Sequence, residues 1–122
     1  MYRLARELRV AAWPDADILS RNRVMVRISA QLYTAIGSIA ANLAEGYSRS
    51  SGRDRVRLYE YALGSAREST VWYESATPVL RAEIVSDRLN KLEEIRRLLL
   101  AIIPRERTRL IRPTLEDPDA AN

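Results

Sequence analysis

The fold is decided by the stretch NLAEGYSRSSGRD, residues 42–54. Before its turn, apolar residues recur at spacings of three and four over residues 28–43, which is the pattern of an amphipathic helix. Gly46 favours a helix end in the left-handed conformation, because glycine has no Cβ. Ser51, three residues before Asp54, resembles a capping box at the start of the next helix. The stretch therefore predicts two helices joined by a tight polar turn.

Composition sets limits on the protein class. The chain has 122 residues, of which 47% are hydrophobic and 30% charged, with a formal net charge of +4, as in an ordinary single domain. It has no cysteine and no histidine, which excludes disulfides, thiolate metal sites and the Glu-x-x-His di-iron pattern. No apolar run is long enough to cross a bilayer, and the N-terminus lacks a signal-peptide core. We therefore expect a cytoplasmic, all-helical protein with no membrane contact, no cofactor and no metal.

Periodicity and prolines predict the helices. They cover residues 2–12, then a start within 17–22 to about 45, about 52–77, and 86–104. The first is expected to end at Trp13-Pro14, because the residue before a proline avoids the α region. Ser86 is the expected N-cap of the last helix, and Pro104 its expected end.

Four helices with short connections predict an all-α, antiparallel up-down-up-down four-helix bundle. Residues 1–104 would form the bundle domain, and residues 105–122 a charged, partly disordered C-terminal tail. Small residues, among them Gly64, predict close packing of the second and third helices. The short first helix would leave an apolar flank of its neighbours uncovered, which predicts a homo-oligomer.

Polar and small residues mark the predicted hairpin. They are Gln31, Ser38, Asn42, Glu45, Gly46, Ser51, Asp54, Gly64, Ser65 and Glu68. One interpretation makes Glu45 and Glu68 an acid–base pair or an all-oxygen metal site. The other is structural: the polar groups pair across the hairpin, and Glu45 is held by an arginine or by backbone N–H groups. The structural interpretation is favoured, because glutamine, serine and asparagine are typical packing partners.

Arginines are predicted to collect at one end of the bundle. In an up-down-up-down order, the start of the first helix, the second turn and the end of the fourth helix share a pole. This arginine-rich pole would comprise Arg3, Arg6, Arg49, Arg53, Arg55, Arg57, Arg105, Arg107, Arg109 and Arg112. Such a surface fits phosphate-backbone binding to RNA or DNA, with Tyr47 and Tyr59 available for stacking. The alternative is a solvated end that nearby carboxylates of Glu7, Asp54, Glu60 and Glu106 largely neutralise.

The hairpin resembles a known family. The matching positions are Gln31-Leu32, Ser38-Ile39, Asn42 to Gly46, Arg49, Ser51 to Asp54, Ala62 to Ser65, and Glu68. They resemble the small bacterial four-helix-bundle proteins encoded in intervening sequences of large-subunit ribosomal RNA genes. More distantly, they are similar to the accessory variability protein of diversity-generating retroelements. Departures from the family pattern are Tyr33-Thr34 for two arginines, Ala40 for proline, Arg55 for phenylalanine and Ser69 for leucine.

The resemblance implies a four-helix bundle in a ring-like homopentamer. For the retroelement relative it also implies a basic surface for nucleic acid and a partner reverse transcriptase. Together with the residue patterns, it predicts a non-enzymatic oligomeric scaffold that can bind nucleic acid through the arginine-rich pole, beside a reverse transcriptase or another nucleic-acid enzyme. The alternative is a protein-binding or self-assembling module with no nucleic-acid role.

Overall fold

The computed structural model describes the backbone of residues 1–116 and the side chains of residues 1–108. It contains four α-helices in this part of the chain: α1 (Tyr2–Ser20), α2 (Val26–Ser48), α3 (Gly52–Ser75) and α4 (Ala82–Glu116). No strand occurs within residues 1–116, which confirms the all-α class. The predicted tail is helical as far as Glu116, and its last six positions lie outside the described residues.

Each helix packs against the next one in the chain, and α1 also touches α4, though over the smallest contact of any neighbouring pair. The shared core is mainly aliphatic and contains two tyrosines, Tyr59 and Tyr73. Its fully buried large side chains include Leu8, Leu19, Leu32, Ile36, Ile39, Tyr73, Leu92, Ile95 and Leu99. Burial of each such side chain stabilises the fold by about 1.5–3 kcal/mol. Within the described residues, no helix is both long enough and apolar enough to cross a lipid bilayer.

The predicted end of α1 at Trp13-Pro14 is wrong, because the helix continues through Pro14 to Ser20. Proline inside a helix removes one hydrogen bond and costs about 3 kcal/mol. The next turn offsets that cost, since it buries Leu19 completely and Asp15 almost completely. Pro14 itself lies on the exposed side of the helix. Tertiary packing has therefore overridden the local preference of the sequence.

Two other boundaries differ for related reasons. The helix α4 begins at Ala82 rather than at Ser86, and it runs through Pro104 instead of ending there. Exposed Pro104 is followed by buried Glu106, whose packing requires another helical turn. The second helix, predicted to start within residues 17–22, begins at Val26, and residues 17–20 belong to α1.

The central hairpin is confirmed, with one correction at its glycine. Ser51 Oγ accepts a hydrogen bond from the backbone N–H of Asp54 at 3.4 Å, and so caps α3. Gly46 lies inside α2 without a positive φ, so the predicted left-handed cap is wrong. A Cβ at Gly46 would lie 2.7 Å from Cε1 of Tyr59, which explains why the position is glycine. The packing role predicted for Gly64 is also wrong, since a Cβ there would meet nothing within 4 Å.

Candidate functional site

An open hollow of about 830 Å³ lies where α1 begins and the turn between α2 and α3 approaches α4. All four helices contribute to its wall, including Tyr2 from α1, Tyr47 from α2, Arg55 from α3 and Glu106 from α4. The structure therefore brings together the start of α1, the turn between α2 and α3, and the part of α4 near residue 106. Most of the exposed wall is apolar, and Arg55 is the one pole arginine that the described part of the chain contributes to it.

Most of the pole arginines whose side chains are described contact carboxylates of the same chain. Arg49 Nη2 lies 2.8 Å from Glu45 Oε2, one turn back on α2. Arg57 pairs more loosely with Asp54, at 3.6 Å. Glu60 accepts a hydrogen bond from Arg107, which joins α3 to α4. These exposed pairs each contribute only about 0–1 kcal/mol, but they cancel much of the local positive charge.

Arg55 differs from the other arginines because it is largely buried. Its side chain is 17% exposed, and that of its partner Glu106 is 7% exposed. Arg55 Nε donates to Glu106 Oε1 at 3.2 Å, and Nη1 donates to the backbone oxygen of Arg49 at 2.6 Å. The guanidinium thus ties the polar turn to α4. A phosphate group would have to compete with both contacts, so Arg55 is placed to hold the fold.

Three pole arginines keep their charge available, namely Arg6 on α1 together with Arg53 and Arg105. All three are exposed, and none forms an ion pair with another side chain in residues 1–108. Tyr47 is exposed on the same end of the molecule. Tyr59 is 3% exposed, so the prediction that it could stack on a base is wrong. The side chains of Arg109 and Arg112 lie outside the described residues.

The polar hairpin residues separate into a cluster and a set of exposed positions. Ser38 Oγ and Ser65 Oγ are 2.8 Å apart, so they link α2 to α3. Asn42 Nδ2 donates to the backbone oxygen of Ser38 at 2.9 Å and to its Oγ at 3.0 Å. These hydrogen bonds agree with the structural interpretation of the polar hairpin residues. They leave no polar group of the described residues buried without a partner.

The carboxylates expected on the same faces are exposed, as is Gln31. Glu45 contacts Arg49, and Glu68 accepts a hydrogen bond from Trp72 Nε1 at 3.0 Å. Neither carboxylate is therefore held in a buried pocket. Among the described residues, no three carboxylates converge in a way that could hold a metal ion.

Sequence reasoning missed a buried network at the opposite end of α1. Asp15 is 1% exposed and accepts hydrogen bonds from Tyr73 Oη at 2.6 Å and from Arg88 Nε at 2.7 Å. A second bond from Arg88, through Nη2, is 3.2 Å long. The network joins α1, α3 and α4. Its only sequence signal was an aspartate directly after Pro14, which is also what a surface turn would contain.

Charges around this network extend along α4. Asp87 receives hydrogen bonds from Lys91 Nζ and from Arg88 Nη1, and these lower the pKa of its carboxyl. Burial raises the pKa of Tyr73, and the hydrogen bond to Asp15 raises it further. Burial alone would lower the pKa of Arg88, but the hydrogen bonds to Asp15 and Asp87 outweigh it and leave that pKa raised. The network therefore favours a charged Arg88 and a neutral Tyr73.

Comparisons with known proteins agree with this fold. A family model described as 23S rRNA-intervening sequence protein matches residues 1–101. A crystal structure from Bacteroides thetaiotaomicron, described as a protein with unknown function from the S23 ribosomal protein family, is similar with a TM-score of 0.77. The two chains are 26% identical, and the alignment covers 84% of this chain and 96% of the other. No curated protein matches the chain.

Proposed function

We propose that this chain, which belongs to the 23S rRNA-intervening sequence protein family, is a non-enzymatic helical scaffold that assembles with copies of itself. The observation that carries this proposal is an exposed, uncharged face of α2. Residues 28–44 contain no charged side chain, in a chain where 30% of the residues are charged. We call the exposed part of this segment the uncharged α2 face; it comprises Ala30, Gln31, Tyr33, Thr34, Ala41 and Ala44.

An exposed aromatic pair adjoins the uncharged α2 face. Trp13 of α1 is 66% exposed and packs edge-on against Tyr33, with ring centroids 5.5 Å apart. Val10, one turn before Trp13, is also exposed. Depletion of charge and enrichment in tryptophan and tyrosine distinguish the centres of protein interfaces from the rest of a surface. A second copy that covers this surface would bury both aromatic rings.

The proposal includes an antiparallel up-down-up-down arrangement of the helices. Contacts of Ser38 with Ser65, and of Gly46 with Tyr59, support antiparallel packing of α2 against α3, because the residue numbers rise on one helix as they fall on the other. The contact of Arg55 with Glu106 supports the same relation between α3 and α4. A ring-like pentamer, implied by the resemblance, is the proposed assembly, and a cytoplasmic location stays a prediction.

Light scattering coupled to size exclusion tests this proposal. The wild-type protein is expected at a multiple of its 13.9 kDa chain mass. Thr34→Glu together with Ala41→Glu places two charges on the uncharged α2 face and should give a monomer. Ser86→Glu with Asn90→Glu adds the same charge at exposed positions of α4 and should leave the assembly intact. A wild-type protein that elutes as a monomer at micromolar concentration would contradict the proposal.

Nucleic-acid binding is the second candidate function, and the availability of Arg53 and Arg105 favours it. Both are exposed at the pole without an ion pair among the described side chains, and exposed Tyr47 can offer a stacking surface. The partner protein would then be a reverse transcriptase or another nucleic-acid enzyme. Arg53→Gln with Arg105→Gln should weaken binding of an RNA or DNA oligonucleotide while the oligomer mass stays the same. Arg55 is left unchanged in this test because it holds the fold.

A further inference from the structure

A second concentration of positive charge lies away from the turn, between α1 and α4. The two helices make little contact, and a hollow of about 520 Å³ opens between them. Four basic side chains line it: Arg3, Arg6 and Arg9 from α1, and Lys91 from α4. Glu7 is the one carboxylate in its wall. We call these five residues the α1–α4 basic groove.

The arginines of the α1–α4 basic groove are less neutralised than those at the turn. Arg3 lies 4.0 Å from Glu7, at the limit of an ion pair, and its side chain is almost fully exposed. Arg6 and Arg9 form no ion pair with any side chain in residues 1–108. Lys91 is partly committed, since its Nζ lies 2.9 Å from Asp87. The groove therefore presents three arginines to an anionic ligand, whereas the turn presents mainly Arg53.

The spacing of these arginines suits a strand of phosphates. Arg3, Arg6 and Arg9 follow one another at intervals of three residues, so they rise along α1 over about 9 Å at 1.5 Å per residue. Guanidinium groups bind phosphate with two parallel hydrogen bonds, and their charge is permanent. A polyanion that follows the groove could therefore contact the three arginines in succession.

An aromatic ring beside the groove favours nucleic acid over an acidic peptide as the ligand. Tyr2 is exposed, and the guanidinium carbon of Arg6 lies 5.8 Å from the centre of its ring. Tyr2 also lines the hollow at the pole, together with exposed Tyr47. Cations along a backbone with an aromatic ring for the bases are the elements of single-strand binding proteins, and an acidic peptide has no use for the ring.

We infer that the α1–α4 basic groove binds single-stranded nucleic acid, with Arg3, Arg6 and Arg9 on successive phosphates and Tyr2 stacked on a base. This inference rests on the second candidate function and moves its main contacts from the turn to α1. The five residues of the groove are not part of the uncharged α2 face, although exposed Val10 both lines the hollow and lies one turn before Trp13. Binding is then non-specific in sequence and strongly dependent on salt.

Fluorescence anisotropy of labelled oligonucleotides tests this inference. The probes are single-stranded RNA and DNA of about 12 nucleotides, within the range of single-strand sites, measured between about 50 and 200 mM salt. The groove variant combines Arg3→Gln, Arg6→Gln and Arg9→Gln. The control combines Arg21→Gln, Arg23→Gln and Arg27→Gln, which removes the same charge from exposed positions near the connection between α1 and α2. Circular dichroism checks that both variants remain helical.

The groove variant should lose at least about tenfold in affinity, and its salt slope should fall by about 2, because each phosphate contact contributes about 0.7 for a single strand. The control should lose no more than about threefold. Tyr2→Leu should weaken binding several-fold while Tyr2→Phe keeps it, since only the ring face is needed. Tighter binding of either the RNA or the DNA probe identifies which nucleic acid supplies the phosphates.

Three results would overturn the inference in different ways. If the wild-type protein binds neither oligonucleotide at low salt, both the groove and the second candidate function are refuted. If the groove variant and the control weaken binding equally, only the placement in the groove is refuted and the second candidate function stands. If polyglutamate competes as well as the oligonucleotides, the partner is an acidic protein segment instead.

Discussion

Removal of the Asp15 carboxylate should destabilise the protein far more than removal of any surface charge. Asp15→Ala leaves the Arg88 guanidinium, whose side chain is 14% exposed, with Asp87 as its only carboxylate among the described contacts. It also takes the hydrogen-bond acceptor from buried Tyr73. Loss of one partner from a buried ion pair typically costs about 3–5 kcal/mol. Because Asp87 still lies 2.6 Å from Arg88, we expect the lower end, about 3 kcal/mol.

That loss converts into a measurable shift in unfolding. Unfolding entropy of about 2.1 cal/mol/K per residue gives about 0.26 kcal/mol/K for this chain, so the melting temperature should fall by about 12 °C. Urea unfolding followed by circular dichroism should show a lower midpoint at an unchanged slope. All samples need the same protein concentration, because assembly would add to the apparent stability.

A matched control lies two residues along the same helix. Asp17 pairs with Arg21 at 3.3 Å, but both side chains are more than half exposed. Asp17→Ala should therefore change the free energy of unfolding by less than about 1 kcal/mol. A second variant, Asp15→Leu with Arg88→Met, replaces the pair by apolar groups and should recover part of the loss. If Asp15→Ala and Asp17→Ala have equal effects, the Asp15 network does not stabilise the fold.

Further predictions concern four single positions. The raised pKa of Tyr73 favours its neutral form in the folded state. The free energy of unfolding should therefore be unaffected by this group below pH 10.0 and should decrease above it, by up to about 1.4 kcal/mol per pH unit. The decrease should be smaller in Tyr73→Phe. Gly46→Ala should lower the free energy of unfolding measured in urea by about 1–3 kcal/mol, because its Cβ would clash with the ring of Tyr59. Gly64→Ala should instead stabilise α3 by up to about 1 kcal/mol. Pro14→Ala restores a hydrogen bond of α1 and should raise the melting temperature; a lower value would mean that the proline ring packs favourably.

The sequence was sufficient for the features that depend on local periodicity. The apolar spacing from Ile28 to Leu43 and the Ser51 cap predicted the hairpin, and the structure has both. The prolines were misleading because their cost of about 3 kcal/mol is smaller than the gain from packing of the following turn. Pro14 precedes Leu19, which is buried. A rule based on neighbouring residues does not contain the information about which side chains another helix will cover.

The candidate site was predictable in composition but not in its electrostatics. The sequence placed many arginines at one pole, yet their partners depend on contacts between helices that no local pattern contains. Arg55 became a buried tie to Glu106, which lies 51 positions away, while Arg53 two residues earlier stayed exposed. Asp15 shows the reverse case, in which a residue with the appearance of a turn former became the centre of a buried network.

The position of the Asp15 network in the chain has a consequence for the order of folding. Asp15 and Arg88 are separated by 73 residues, whereas the Ser38–Ser65 contact spans 27. Contacts between distant positions close larger loops and therefore form later on average. We therefore expect the α2–α3 hairpin to form first and the Asp15–Arg88 pair to form after the rate-limiting step. Asp15→Ala should then accelerate unfolding and leave the refolding rate nearly unchanged, which stopped-flow measurements can determine.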